Sequence, residues 1–87
     1  MRTATIRGHI LSATMHKSLV GWRLLIAVPD SPDLSPQVVI DNLGAGIGQR
    51  VLISSDGSES RKMVGDELSP ARWNVLGIID PERTLAL

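Results

Sequence analysis

The fold is indicated most strongly by residues 22–28, which run Trp22-Arg23-Leu24-Leu25-Ile26-Ala27-Val28. This stretch is apolar on both faces and stops at Pro29, after which Asp30-Ser31-Pro32-Asp33 has the composition of a loop. It therefore predicts a β-strand that must be covered on both of its faces. In a chain of only 87 residues, a neighbouring subunit is a natural source of the second cover.

Further strands are predicted on both sides of this stretch. Near the start of the chain, polar residues alternate with four apolar or small residues, Ala4, Ile6, Gly8 and Ile10. This period of two predicts a half-buried strand with those four residues on one face. Three more short segments have strand character: 37–41, 50–54 and 74–79.

The connections carry turn signals and little helix. Asp56-Gly57 predicts a turn, and Ser58 is expected to cap a short helical turn that runs toward Lys62. Residues 63–72 are expected to form a loop, and the apolar tail at 83–87 to add a strand or a docking arm. Five or six short strands with so little helix predict an all-β fold, either a small closed barrel or a sandwich.

The composition leaves association as the means of stabilising so small a domain. A domain near this size buries only about 60–65% of its unfolded surface, so its own core supplies little stability. The chain has no cysteine and only two histidines, so neither disulfides nor a structural zinc site is expected. Only 2% of the residues are aromatic, so the core must be built from Val, Ile, Leu and Ala.

The charge balance argues against a nucleic-acid partner, and the absence of a long apolar run argues against a membrane span. Nine Lys and Arg residues balance nine Asp and Glu residues, whereas nucleic-acid binders usually carry a basic excess. No apolar run approaches the roughly 20 residues needed to cross a bilayer, and the N-terminus lacks the apolar stretch of a secretory signal. The expected location is therefore the cytoplasm.

The glycine cluster does not have the spacing of a nucleotide site. A dinucleotide fingerprint has the pattern Gly-x-Gly-x-x-Gly and lies before a helix. Here Gly44, Gly46 and Gly48 are each two apart, and the predicted strand from Arg50 follows them. The pattern is typical of a tight loop with positive φ angles and close backbone approach, which would also let identical subunits meet at a symmetry axis.

No set of residues has the spacing of a catalytic or metal site. His9 and His16 are seven apart without a carboxylate at ligand spacing, and no serine lies in a Gly-x-Ser-x-Gly motif. Trp22 and Trp73 are expected to be core or interface anchors, with base stacking in a barrel as the alternative. The residues therefore predict a compact β domain that oligomerises, with no enzymatic activity, cofactor or metal.

Four segments in order give the chain a specific pattern that extends over nearly its whole length. Besides Gly8 in the opening strand, they are 17–25, Asp41-Asn42-Leu43-Gly44-Ala45-Gly46-Ile47-Gly48-Gln49-Arg50-Val51-Leu52, Gly57-Ser58-Glu59-Ser60-Arg61 and Val75-Leu76-Gly77-Ile78-Ile79-Asp80. In these segments the chain resembles the EutN/CcmL family of bacterial microcompartment and carboxysome shell vertex proteins. It departs from the family at Gln49, where Glu is usual, and at Pro70-Ala71-Arg72, where Pro-x-Asp is common.

The resemblance implies one domain over residues 1–87, with the fold of a small OB-like five-stranded β-barrel that has at most a short helix. It also implies a structural role: a ring of this chain, a homopentamer with a hexamer as the other possibility, caps the vertices of a microcompartment shell in the cytoplasm. The partners would be further copies of the chain and hexameric shell proteins. The residues expected at the ring axis or a subunit contact are Gly44, Ala45, Gly46, Ile47, Gly48, Gln49, Trp22 and Leu25.

Two other functions remain open at this point. An OB-like module for single-stranded nucleic acid would need a basic groove, which the neutral charge balance disfavours. A small enzyme or enzyme accessory subunit would need a pocket with perturbed ionisable residues, which no spacing in the chain suggests.

Overall fold

The computed structural model describes residues 1–10 and 16–80. It contains five strands, one α-helix and one turn of 3₁₀ helix. In chain order these are β1 Arg2–Ile10, the 3₁₀ turn Lys17–Leu19, β2 Arg23–Pro29, β3 Gln37–Asp41, β4 Arg50–Ser54, α1 Gly57–Val64 and β5 Trp73–Ile78. The predicted tail at 83–87 lies outside the described residues.

The five strands close into a barrel in the order β1-β2-β3-β5-β4. Strands β3 and β5 pair in parallel, and the other four pairs are antiparallel. The parallel pair is short, because only Val39 with Trp73 and Ile40 with Asn74 are in register. The predicted five-stranded barrel with one short helix is therefore confirmed.

The interior of the barrel is filled by aliphatic side chains, most of them Ala, Val or Ile. Its buried members are Ala4, Ile6, Leu25, Ala27, Val39, Ala45, Val51, Ile53 and Val75. Trp73 and Ile78 are partly buried and pack against them. A five-stranded barrel has a narrow interior, so residues of this size fill it and larger aromatic side chains are not needed.

Strand β1 departs from the alternation predicted for it. Ala4 and Ile6 point into the barrel, but the register with β2 shifts between Ile6 and Gly8. A shift of one residue reverses the face on which the following side chains lie. Ile10 consequently packs in a second cluster outside the barrel, and the prediction that four residues share one face is wrong beyond Ile6.

The second cluster covers part of the outer face of β2 and β3. Its buried members are Leu24, Ile40 and Ala71, and packed against them are Ile10, Leu19, Trp22, Met63 and Val64. The cover comes from the 3₁₀ turn, the end of α1 and the segment before β5. The chain thus supplies by itself part of the second cover that was expected from a neighbouring subunit, while Ile26 and Val28 further along β2 remain only half-buried.

Helix α1 begins at Gly57, two residues earlier than predicted from a cap at Ser58. Asp56, not Ser58, is its N-cap, and the Asp56 Oδ1 accepts a hydrogen bond from the Glu59 N–H at 3.2 Å. Carboxylates are favoured at this position because they accept from otherwise unpaired backbone N–H groups. Gly65, with φ 72°, ends the helix in the left-handed conformation. Residues 63 and 64, predicted as loop, therefore belong to the helix.

A buried polar link holds α1 against β5. The Ser60 hydroxyl donates to the Arg72 carbonyl at 2.6 Å and accepts from the Asn74 side-chain amide at 2.9 Å. Ser60 and Asn74 are both fully buried, so each polar group depends on the other for a partner. This link fixes the segment that covers the second cluster.

The loop after β2 is tied to β1 and β4 through the Asp30 carboxylate. The Thr3 hydroxyl donates to Asp30 Oδ2 at 2.6 Å, and the Arg50 guanidinium forms an ion pair with the same oxygen. The Asp30 N–H also donates to the Thr3 carbonyl at 3.0 Å. The Thr3 hydrogen bond is the main cause that lowers the pKa of the Asp30 carboxyl below its usual range, with the Arg50 charge adding to it.

Replacing Thr3 with Val should raise the pKa of Asp30 toward the ordinary value of about 3.9. Because the folded-state pKa is lowered, the contribution of the ionised group is present above the ordinary pKa and is lost as pH falls through the folded-state value. The stability difference between wild type and Thr3→Val should therefore shrink as pH falls through that range. Carboxyl NMR titration checks the pKa, and Thr5→Val should leave it unchanged. An unchanged Asp30 titration in Thr3→Val would contradict the assignment.

Candidate functional site

The glycine-rich loop between β3 and β4 is built around the carboxylate of Asp41. Its Oδ1 accepts from the Leu43 N–H at 2.9 Å, and its Oδ2 accepts from the N–H groups of Gly44 at 3.1 Å and Ala45 at 2.9 Å. Asp41 is 1% exposed. A single side chain thus satisfies three backbone donors that the glycine-rich segment could not pair within itself.

Arg23 at the start of β2 completes this arrangement. Its Nη1 donates to Asp41 Oδ2 at 3.0 Å, and its Nη2 donates to the Ala45 carbonyl at 2.9 Å. The planar guanidinium can make both bonds at once. The side chain of Arg23 is 40% exposed, so its charge keeps contact with water while it neutralises the buried carboxylate. We call Arg23, Asp41 and the backbone of residues 43–45 the Asp41 clamp.

The second half of the loop is held by Gln49 and by β1. Gln49 Oε1 accepts from the Gly46 N–H at 2.7 Å, and the Gln49 N–H donates to the Gly46 carbonyl at 3.1 Å. The backbone of Ile6 pairs with this end of the loop, accepting from the Gly48 N–H at 2.7 Å and donating to the Gln49 carbonyl at 2.9 Å. A carboxylate oxygen could accept from Gly46 as the amide does, so Gln49 in place of the usual Glu preserves this bond.

The glycines of the loop have different roles. Gly44 and Gly48 have φ angles of 87° and 90°, in the left-handed region predicted for this segment. Gly46 does not have a positive φ, and a Cβ placed there would lie 3.6 Å from Gln49 Oε1, an ordinary contact. Within one subunit, a side chain is therefore sterically acceptable at Gly46.

The structure separates the eight predicted contact residues into exposed and buried groups. Gly44, Ile47, Gly48 and Gln49 are exposed, and Ile47 presents an apolar side chain that is 68% exposed. Gly46 and Trp22 are half-buried, and Trp22 shares a shallow surface groove with Gly44 and the Asp41 clamp.

The two remaining residues do not belong to an accessible contact surface. Ala45 and Leu25 are 0% and 1% exposed in the barrel core. Their side chains are enclosed by their own subunit, so the hypothesis that they contact a neighbouring subunit is not kept for these two.

Arg23 and Asp41 were not among the predicted site residues. Asp41 lies two residues before Leu43 and three before Gly44. An aspartate at this spacing often accepts hydrogen bonds from the backbone N–H groups that follow it, so the sequence contained a local signal for its role. The contribution of Arg23 was not, because it follows from the pairing of Arg23 with Asp41 across β2 and β3.

The histidines have structural surroundings. His9 is exposed on β1. His16 caps the 3₁₀ turn, where its Nδ1 accepts from the Ser18 N–H at 3.2 Å and lies 2.8 Å from the Ser18 Oγ. In residues 1–10 and 16–80, no three His, Asp or Glu side chains lie close enough together to hold a metal ion. Among the same residues, no helix has the length and apolar character to span a membrane.

Comparison with known proteins identifies relatives along the length of the chain. A model of the family described as ethanolamine utilisation protein EutN/carboxysome matches residues 1–80. The microcompartment shell vertex protein EutN of Salmonella typhimurium is 38% identical over 84 residues, which cover 92% of this chain and 84% of that protein. The vertex protein GrpN of Rhodospirillum rubrum is 35% identical over 89 residues, 98% of this chain and 99% of GrpN.

Solved structures of such relatives have the same fold. A pentameric microcompartment shell protein, GrpN from Rhodospirillum rubrum, superposes with a TM-score of 0.75 at 34% identity, covering 98% of this chain and 100% of GrpN. An ethanolamine utilization protein, EutN, gives a TM-score of 0.76 at 37% identity over 92% of this chain and 86% of that protein. The match to the full length of GrpN leaves no large part of that fold without a counterpart here.

Removing the Asp41 carboxylate should destabilise the fold strongly. We expect Asp41→Ala to lower the free energy of unfolding by about 3 kcal/mol, because three backbone N–H groups and Arg23 lose their acceptor. Asp41→Asn should cost less, since one carbonyl oxygen remains. Urea unfolding at a fixed protein concentration measures both, with Glu67→Gln as an exposed control that should change stability by less than about 0.5 kcal/mol. An Asp41→Ala protein as stable as this control would contradict the role of the clamp.

Proposed function

The chain belongs to the EutN/CcmL family, and on that premise we propose that five copies of it form a ring that caps the vertices of a bacterial microcompartment shell. The observation that carries the proposal is the full-length match to GrpN, whose solved structure is that of a pentameric shell protein. The relatives are structural vertex proteins, so the chain is not an enzyme. The comparisons favour this function over the nucleic-acid-binding alternative.

The function follows from shape. Subunits that meet head to tail through two different patches close into a ring when the rotation between neighbours divides a full turn. Flat layers of six-fold tiles cannot enclose a volume, so five-fold units must be inserted where the layer closes. A ring of a small rigid barrel would perform this role through the angles of its edges, without any chemical step.

The partners that we propose are further copies of the chain and hexameric shell proteins that surround the ring. The neutral overall charge suits packing among many copies, since a large net charge of one sign would repel them. The proposed location is the shell of a microcompartment in the cytoplasm.

We further propose that the exposed part of the glycine-rich loop lies at the ring axis or at a contact between subunits. Two properties support this placement. Ile47 exposes an apolar side chain next to small residues that let another backbone approach closely. The Asp41 clamp and the Gln49 bonds hold the loop in one shape, so little conformational entropy would be lost when a second subunit binds.

The native mass of the purified protein tests the ring directly. Native mass spectrometry should give five times the 9.4 kDa subunit mass, unchanged by moderate dilution or by added salt. A mass of six subunits would support a ring but would contradict the proposal that the ring has five-fold symmetry. A monomer at every concentration would contradict the proposed function.

A bulky side chain at Gly46 tests the position of the loop. The site accepts a Cβ within the subunit, so Gly46→Leu should leave the far-UV circular dichroism unchanged. If the loop lies at a subunit contact, the concentration below which the ring dissociates should rise roughly tenfold or more. A tenfold rise corresponds to a loss of about 1.4 kcal/mol of binding free energy. Ser58→Leu on the exposed side of α1 is the matched control. A Gly46→Leu ring that dissociates like wild type would remove the loop from the interface.

A further inference from the structure

The outer face of β2 and β3 is covered by the chain over only half its length. The second cluster covers it at the pair Leu24 and Ile40. Beyond that pair, Ile26 and Val28 are half-buried and Val38 is 51% exposed. Ile26 and Val38 are direct partners across the ladder, so their side chains lie side by side on the outer surface. We call Ile26, Val28 and Val38 the ridge.

The shape of the ridge depends on the residue beside it on β1. Gly8 pairs with Ile26, and a Cβ on Gly8 would come within 3.2 Å of Ile26 Cδ1. The absence of a side chain at Gly8 lets Ile26 lie across β1. The partner of Val28 on β1 is Thr5. None of the residues in register with the ridge is charged.

A second uncharged patch lies on the outer face of β4 and β5. Leu52 is half-buried and pairs with Gly77, and Leu76 beside it is 45% exposed. The register between these strands shifts here, since Leu52 pairs with Gly77 and Ile53 with Val75, so Leu76 is the extra residue of a bulge. A Cβ on Gly77 would meet no atom within 4 Å from any residue other than its two chain neighbours. We call Leu52, Leu76 and Gly77 the depression.

The ridge and the depression are unusual for surfaces that face water. An exposed face of an antiparallel sheet normally carries polar side chains between the apolar positions of the inner face. Here Ile, Val and Leu also occupy some of the outer positions of two strand pairs. One patch carries β-branched side chains, and the other has a glycine with free space above it between two leucines. The two patches therefore match in chemistry, since both are apolar, and the open space over Gly77 can receive a side chain.

The two patches cannot meet within one subunit, because they lie on different strand pairs of a closed barrel. A second copy of the chain carries the matching surface, and a ring needs one contact between two different patches at each step. We propose that the ridge of one subunit packs into the depression of the next, with Val38 placed over Gly77. This inference rests on the ring assembly proposed above and assigns the faces that form its contact.

Filling the depression is the first part of the test. Gly77→Leu adds a side chain into space that is empty within the subunit, so the fold should be kept, whereas Gly77→Ala adds only one methyl group. We expect the dissociation concentration of the ring, followed by native mass spectrometry on dilution, to rise roughly tenfold or more for Gly77→Leu and less for Gly77→Ala. Ser58→Leu again serves as the control for an added exposed leucine.

The second part of the test places a charge on the ridge. Its result does not depend on whether the Gly77→Leu variant folds. Val38 is half exposed, so Val38→Lys should keep the far-UV circular dichroism of the folded subunit while it opposes contact with an apolar surface. The combination of Val38→Ala with Gly77→Ala should dissociate closer to wild type than the sum of the single effects predicts, because the methyl group added at residue 77 fills part of the space left by the two methyl groups lost at residue 38.

The outcomes separate the two proposals. A wild-type protein that is monomeric at all concentrations would remove the ring itself. If the wild type forms a ring, and the Gly77→Leu and Val38→Lys variants dissociate at the same concentration as the wild type, the contact between ridge and depression would be overturned. The ring itself would stay in place. A loss of assembly in both variants with the subunit fold kept, together with compensation in the double variant, would establish the contact.

Discussion

The buried carboxylate of Asp41 is the interaction on which the rest of the structure depends. It lies at the end of β3, is paired with Arg23 at the start of β2, and accepts from three successive backbone groups of the glycine-rich loop. A segment with three glycines loses much conformational freedom on folding and has few side chains to hold it. The Asp41 carboxylate offsets this loss of conformational freedom, because it gives the backbone N–H groups of the loop one fixed acceptor. Ala45, held by the clamp, then lies in the barrel core beneath the loop.

The narrow interior of the barrel decides how the remaining apolar residues are arranged. The interior has room only for side chains of modest size, so a sequence that is 43% hydrophobic has more apolar residues than the barrel can enclose. Some of the remainder form a second cluster under α1 and the 3₁₀ turn. Others stay on the surface, among them Val38 and Leu76 on the outer faces of the barrel and Ile47 on the glycine-rich loop. A small domain with thin stability and several such surfaces is suited to a ring, in which association supplies part of its burial.

Particular residues show where sequence patterns succeed. The two-sided apolar run from Trp22 to Val28 correctly predicted a strand, but the chain covers the outer face of that strand only near Leu24 and leaves Ile26 and Val28 half-buried. The spacing of the glycines correctly predicted a tight loop with left-handed residues, since only glycine adopts such angles without strain. Two other local patterns were wrong: the capping preference of serine misplaced the helix start at Ser58, and the period of two misplaced the face of Ile10. The first depends on which of two neighbouring polar residues reaches the backbone, and the second on a register shift that no local pattern records.

The sequence by itself determined the class of fold, the absence of a catalytic pattern and the family, because these depend on the order of residue types along the chain. The tertiary structure decided which apolar residues remain accessible. Leu25 and Ile26 are neighbours with equal hydrophobicity in the sequence, yet one fills the core and the other lies on the outer surface. The reason is physical: a strand alternates its side chains between two faces, and the closure of the barrel and the path of α1 determine which face the chain covers for itself.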